Sequence, residues 1–216
     1  MKSRNGLKKT ASFLLISIII IFSVLSCSDA TVGIAAVYPQ LVYNYESKTA
    51  SPTVSLSVYS EVFQGERIQS MTVRNTTSGM SWKVEPVDIL NDDTLTRTFV
   101  GCSSLAMPGT LSFDNAVYQV IYEDFAGRTT DALFSLKAQE AGSWGNSAVT
   151  GTNVQYLLVN TNGNILYTGP YIDCFSSVES VLRDFPDAKY YREFVLNNEL
   201  NAIYLLPAVV VATENQ

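Results

Sequence analysis

Short runs that alternate apolar and polar residues, each closed by a turn, fill residues 34–137 and leave little to fold into except antiparallel sheet. Val54, Leu56 and Val58 alternate with Ser55, Ser57 and Tyr59, the period of a strand with one buried face. Gln64-Gly65 interrupts the pattern and Ile68 to Val73 resumes it. Thr77-Ser78-Gly79 turns, Ser81 to Glu85 alternates, Asn91-Asp92-Asp93 turns again, and Leu95 to Val100 follows. Twelve Tyr and plentiful Val and Thr add β-propensity. Strands recurring about every 8–12 residues predict a mainly β chain built as a sandwich or barrel.

Asp114-Asn115-Ala116-Val117-Tyr118 resembles the Asp-x-Ala-x-Tyr corner of immunoglobulin-like domains, in which the Tyr hydroxyl bonds back to the chain entering strand F. Tyr118 to Tyr122 alternates as that strand does. Asp124-Phe125-Ala126-Gly127-Arg128 is similar to the F–G turn of bacterial immunoglobulin-like and fibronectin-like modules. The resemblance implies an immunoglobulin-like antiparallel β-sandwich over residues 34–137, with Tyr118 as a structural corner and Thr129 to Leu136 as its last strand. Val120 stands where an antibody domain carries its second core cysteine, so the likeness is to cysteine-free bacterial relatives.

Residues 138–152 shift in composition, with Gly142, Gly145 and Gly151 among small polar residues and Trp144 as the one large anchor. They read as a linker or long loop. Residues 153–216 read as a small α+β unit that packs on the sandwich. Val154 to Val159 and Ile165 to Tyr167 flank a hairpin signal at Asn160-Thr161-Asn162-Gly163-Asn164. Ser176 to Glu179 matches a capping box with Ser176 as N-cap, opening a helix whose apolar face is Val178, Val181, Leu182 and Phe185. Tyr190 to Leu196 reads as a strand, with a helix opened by Pro186 as the other possibility for residues 187–200. Ala202 to Val211 reads as the closing strand.

The N-terminus sets the address. Lys2, Arg4, Lys8 and Lys9 precede an apolar run from Ala11 to Leu25, closed by Val24-Leu25-Ser26-Cys27. This is the layout of a secretory signal peptide over residues 1–26. The run is about 15 residues, short of the ~20 that span a bilayer. The boundary cysteine resembles the lipobox of bacterial lipoprotein precursors. That resemblance implies that Cys27 carries the acyl chains, palmitate among them, with residues 27–33 as a lipidated tether. Ser28, where an Asp often marks inner-membrane retention, points to the outer membrane.

Those first 26 residues hold four of the fourteen basic residues and no acid, which leaves ten basic against twenty acidic, a formal charge of −10. So acidic a chain offers no footprint for nucleic acid and no electrostatic grip on anionic lipid. The lipid is therefore the expected hold on the membrane.

Histidine is absent, which removes Ser-His-Asp and Cys-His catalysis and His-ligated zinc. With Cys27 lipidated, Cys102 and Cys174 remain either as a disulfide in an oxidising compartment or as two buried thiols. Asp92-Asp93 and Glu123-Asp124 are adjacent acids, and strand neighbours point to opposite faces, so they read as turn residues. No cofactor or metal site is expected. Tyr38, Tyr43, Tyr45, Tyr167 and Tyr171 suit either a core or a binding surface. These features predict a lipid-anchored cell-envelope protein that binds, adheres or assembles without catalysis, with an envelope protein as a partner. The alternative is an envelope hydrolase acting on carbohydrate or peptidoglycan through paired carboxylates.

Overall fold

Alternation is carried through strand after strand, and it builds two sheets. The computed structural model describes residues 32–92, 94–109, 111–139 and 153–211. The expected signal peptide, Cys27 and most of the expected linker lie outside these residues.

In chain order the strands are β1 (Gly33–Asn44), β2 (Thr53–Phe63), β3 (Ile68–Asn75), β4 (Ser81–Val84), β5 (Asp88–Asp92), β6 (Arg97–Ala106), β7 (Ala116–Asp124) and β8 (Thr129–Leu136). Then come β9 (Val154–Asn160), β10 (Ile165–Gly169), the helix α1 (Val178–Asp184), β11 (Ala188–Asn197), β12 (Ala202–Leu205) and β13 (Val209–Val210). Among the described residues the first sheet runs β10-β9-β11-β12-β1-β2-β6-β5, with β13 beside β11, and the second runs β4-β3-β7-β8. The chain is thus mainly β and two-layered.

Between the layers lie Leu41, Tyr43, Leu56, Val58 and Val100 from the first sheet and Met71, Val73, Tyr118, Val120 and Tyr122 from the second, each at most 1% exposed. Burial alternates without a break along β7, where Tyr118, Val120, Tyr122 and Asp124 point inward. Each such apolar side chain contributes roughly 1.5–3 kcal/mol by leaving water.

The tail strands continue the first sheet. β12 runs parallel to β1, pairing Leu41 with Ala202 through Asn44 with Leu205, and β11 pairs antiparallel with β12. Arg192 reinforces the joint from β11. Its Nη2 donates to Asn44 Oδ1 and to the Leu206 carbonyl, both at 2.7 Å.

A second apolar cluster forms under β9 and β11. Leu158, Cys174, Phe175, Val181 and Ala188 are buried there, and Phe175 stacks on Tyr156 at 4.6 Å. Tyr191 and Val195 lie on one side of β11 and pair with Leu158 and Val154, so this cluster occupies the same face as the main core. Helix α1 and the second sheet therefore cover different stretches of one sheet face.

Two details depart from expectation. Ser177, not Ser176, is the N-cap of α1, accepting from Ser180 N at 3.1 Å. Ser176 ends the preceding 3-10 turn, Asp173–Ser176, while Ser177 has the extended backbone a cap needs. Asn91 and Asp92 belong to strand β5, and the turn follows them, with Asp92 Oδ1 accepting from the amides of Thr94 and Leu95.

Candidate binding groove on the outer face of the first sheet

Tyr59 stands on the polar side of β2, and a gap in the next strand lets it lie flat. Its partner on β6 is Gly101, and Gly101 in turn faces Asp88 on β5. A Cβ on Gly101 would sit 2.0 Å from the Val58 carbonyl oxygen and 2.9 Å from Tyr59 Cδ1. With no side chain in the way, the Tyr59 ring crosses β6 and its hydroxyl donates to Asp88 Oδ2 at 3.0 Å. Burial, and then the Asp88 carboxylate beside it, push the phenol pKa up to about 12.

Tyr38 on β1 is the cross-strand partner of Tyr59. It is 47% exposed, meets Phe99 edge-on at 5.8 Å and donates to Glu61 Oε2 at 3.3 Å. Arg97 Nε lies 3.5 Å from the other Glu61 oxygen. Each carboxylate beside the two rings is therefore already engaged.

The next cross-strand pair on the same face is Gln40 and Ser57. Asn201 approaches from the turn before β12 in a left-handed conformation (φ 48°), with its carbonyl accepting from Leu41 N at 2.9 Å. Together with Val37 and Pro39 these residues enclose an open groove of about 300 Å³ where the pairing of β12 with β1 stops. Among the described residues, the side chains of Gln40, Ser57 and Asn201 make no hydrogen bond to the protein. The groove thus combines aromatic surface with unspent amide and hydroxyl groups, the make-up of a ligand site.

The residues singled out from the sequence fall elsewhere. Tyr118 is fully buried, and its hydroxyl accepts from Asp114 N at 3.3 Å and faces the Asp114 carbonyl at 3.4 Å. Cys102 and Cys174 are both free thiols, so the possible disulfide is not formed. Cys102 belongs to the main core through β6 and Cys174 to the cluster under β9 and β11, and four strand spacings separate β6 from β11. That is about 19 Å, far beyond the ~7 Å reach of a bridge. Burial raises both thiol pKa values.

Asp124 closes the β7–β8 turn. Its carboxylate accepts from the amides of Ala126 and Arg128 and takes both Nε and Nη2 of Arg128, at 2.8 and 2.7 Å. Asp93 lies outside the described residues. Tyr43 and Tyr45 are core residues. Tyr167 and the half-exposed Tyr171 join the aromatic cluster around Phe175. Of the five tyrosines that suit either a core or a binding surface, Tyr38 alone reaches the groove.

No known protein family and no curated protein matches this chain. Its function therefore has to be read from its own residues. Nothing in the local sequence around Tyr59, Gln40, Ser57 and Asn201 marks them as functional, with one exception. Tyr59 shares the polar side of its strand with Ser55 and Ser57, where a large ring is out of place unless it covers something.

Proposed function

We propose that the chain is a cell-envelope lipoprotein, held at the outer membrane through acyl chains on Cys27, that works by binding and not by catalysis. The observation that carries this reading is the open groove between Tyr38, Tyr59, Gln40, Ser57 and Asn201, where polar groups stand unspent beside exposed aromatic surface. The nearby carboxylates, Glu61 and Asp88, are engaged by Arg97 and the two phenols, and no carboxylate is among the residues that line the groove. An immunoglobulin-like ancestry of residues 34–137 fits this role, and the Tyr118–Asp114 contact before β7 supports it. The function itself rests on the groove, since sandwiches of this kind serve many ends.

Anchoring is tested by labelling cells with radioactive palmitate. The wild-type chain should take up label and fractionate with the outer membrane, and Cys27→Ala should do neither. Label on Cys27→Ala would refute the attachment site.

A further inference from the structure

Resting on the binding reading above, we propose that the groove receives a hexopyranose unit of a neutral glycan. A pyranose ring has one apolar C–H face and a rim of hydroxyls that both donate and accept. The groove matches both parts. Tyr38 offers a half-exposed ring that leans over β2, held by its bond to Glu61 and by Phe99, which it meets edge-on at 5.8 Å. The Tyr59 ring is laid along the sheet over Gly101 and fixed by its bond to Asp88. Pre-set aromatic side chains of this kind lose little freedom on binding.

The rim of the groove selects the class. Gln40 and Asn201 each bring a donor and an acceptor on one amide, and Ser57 adds a hydroxyl that is either. A purely apolar ligand would bury these groups unpaired, at the desolvation cost of each. A cation would look for free carboxylates, but Glu61 is held by Arg97 and Tyr38, and Asp88 by Tyr59. An anion meets no free cation among the lining residues. A neutral polyol with one flat apolar face is what remains. The volume, about 300 Å³, suits one to two sugar rings, with the open side leaving room for the chain to continue.

The test is calorimetric titration of the full chain, kept in a zwitterionic detergent with no sugar headgroup. Cellohexaose, maltohexaose, mannohexaose and chitohexaose are the probes, with hexalysine as the charged comparison. At least one hexaose should saturate with a Kd on the order of 10⁻⁴–10⁻³ M, unchanged by added salt because no charge is paired. Tyr38→Ala should weaken it about tenfold or more, whereas Tyr38→Phe, which keeps the ring, should stay within about threefold. Gln40→Ala should weaken it several-fold, and so should Asn201→Gly, which keeps the left-handed backbone. Tyr171→Ala, at the far end of the sheet, should leave it unchanged, and urea midpoints certify that each variant is folded. No saturable binding by any hexaose up to about 10 mM would overturn the proposal. So would binding indifferent to Tyr38→Ala. Tyr38-dependent binding of hexalysine without any hexaose binding would overturn the glycan class while leaving a binding role intact.

Discussion

Tyr43 and Tyr204 stack with their centroids 4.7 Å apart and their planes 11° apart, fastening the tail strand β12 to β1 inside the core. The two hydroxyls fare differently. Tyr43 accepts from Gln139 N at 3.1 Å and faces its carbonyl at 3.2 Å, whereas the Tyr204 hydroxyl is buried with no hydrogen-bond partner among the described residues. Tyr43→Phe should therefore cost about 0.5–1.5 kcal/mol, the net worth of an ordinary hydrogen bond, because Gln139 is exposed and its amide can turn to water. Tyr204→Phe should be neutral or slightly stabilising, because it removes an unpaired polar group, and Tyr204→Ala should cost about 3–5 kcal/mol as a large-to-small core change. Urea unfolding midpoints check all three. Equal losses for the two Phe variants would contradict this assignment of partners.

Gly101→Ala should be among the most damaging single-methyl additions in the chain. Its Cβ would stand 2.0 Å from the Val58 carbonyl oxygen, a backbone atom that cannot swing aside. A loss of about 3 kcal/mol is expected from overpacking. Gly79→Ala is the control, with a positive φ (75°) but open space around it, and should cost about 1 kcal/mol. A Gly101→Ala chain as stable as Gly79→Ala would mean that β2 and β6 lie further apart than described.

The Asp124 clamp gives stability a definite pH dependence. The backbone amide of Arg128, then its guanidinium and the amide of Ala126, hold the Asp124 pKa below its ordinary 3.8 in the folded chain. A carboxylate with a depressed folded pKa stabilises fully above its unfolded value and loses that contribution as pH falls through the folded one. Urea midpoints should thus drop as pH is lowered below about 4, and Asp124→Asn should flatten that part of the profile. An unchanged acid limb in Asp124→Asn would show that other carboxylates set it.

Thiol titration should count two reactive groups in the denatured, unreduced, lipidated protein, Cys102 and Cys174, and almost none before denaturation. Both are buried as free thiols, with pKa values raised by burial, so neither forms thiolate readily in the native state. A count of zero after denaturation would mean a bridge, and would require β6 and the Asp173–Ser176 turn to come together.

Local patterning makes most of the strands legible in the sequence. Period-two burial is written into β2, β7 and, from Met71 onward, β3, and the Thr129 to Leu136 stretch coincides with β8. β5 was hidden because Asn91 and Asp92 have the chemistry of a turn, yet they pair with Thr98 and Arg97 at the edge of the sheet. The closing stretch from Ala202 breaks into β12 and β13 around Pro207, which has no amide to give a ladder. The parallel pairing of β12 with β1 was out of reach, since no local signal specifies a partner so distant in the chain. The groove was illegible for the same reason. It joins Tyr38 and Gln40 on β1, Ser57 and Tyr59 on β2 and Asn201 from the tail, and it depends on an empty position at Gly101 that acts only through register.

The central claim, that this chain acts by holding a ligand at the Tyr38–Tyr59 face without turning it over, is tested most directly by co-sedimentation. The detergent-purified full chain is spun with insoluble, polysaccharide-rich envelope material, and the supernatant is assayed for released sugar and peptide fragments. The account predicts that the wild-type chain pellets, that Tyr38→Ala stays in solution, and that no fragments appear with either. Fragment release that disappears when a single Asp or Glu is replaced would contradict it in favour of a hydrolase, and equal pelleting of Tyr38→Ala would place binding on another face.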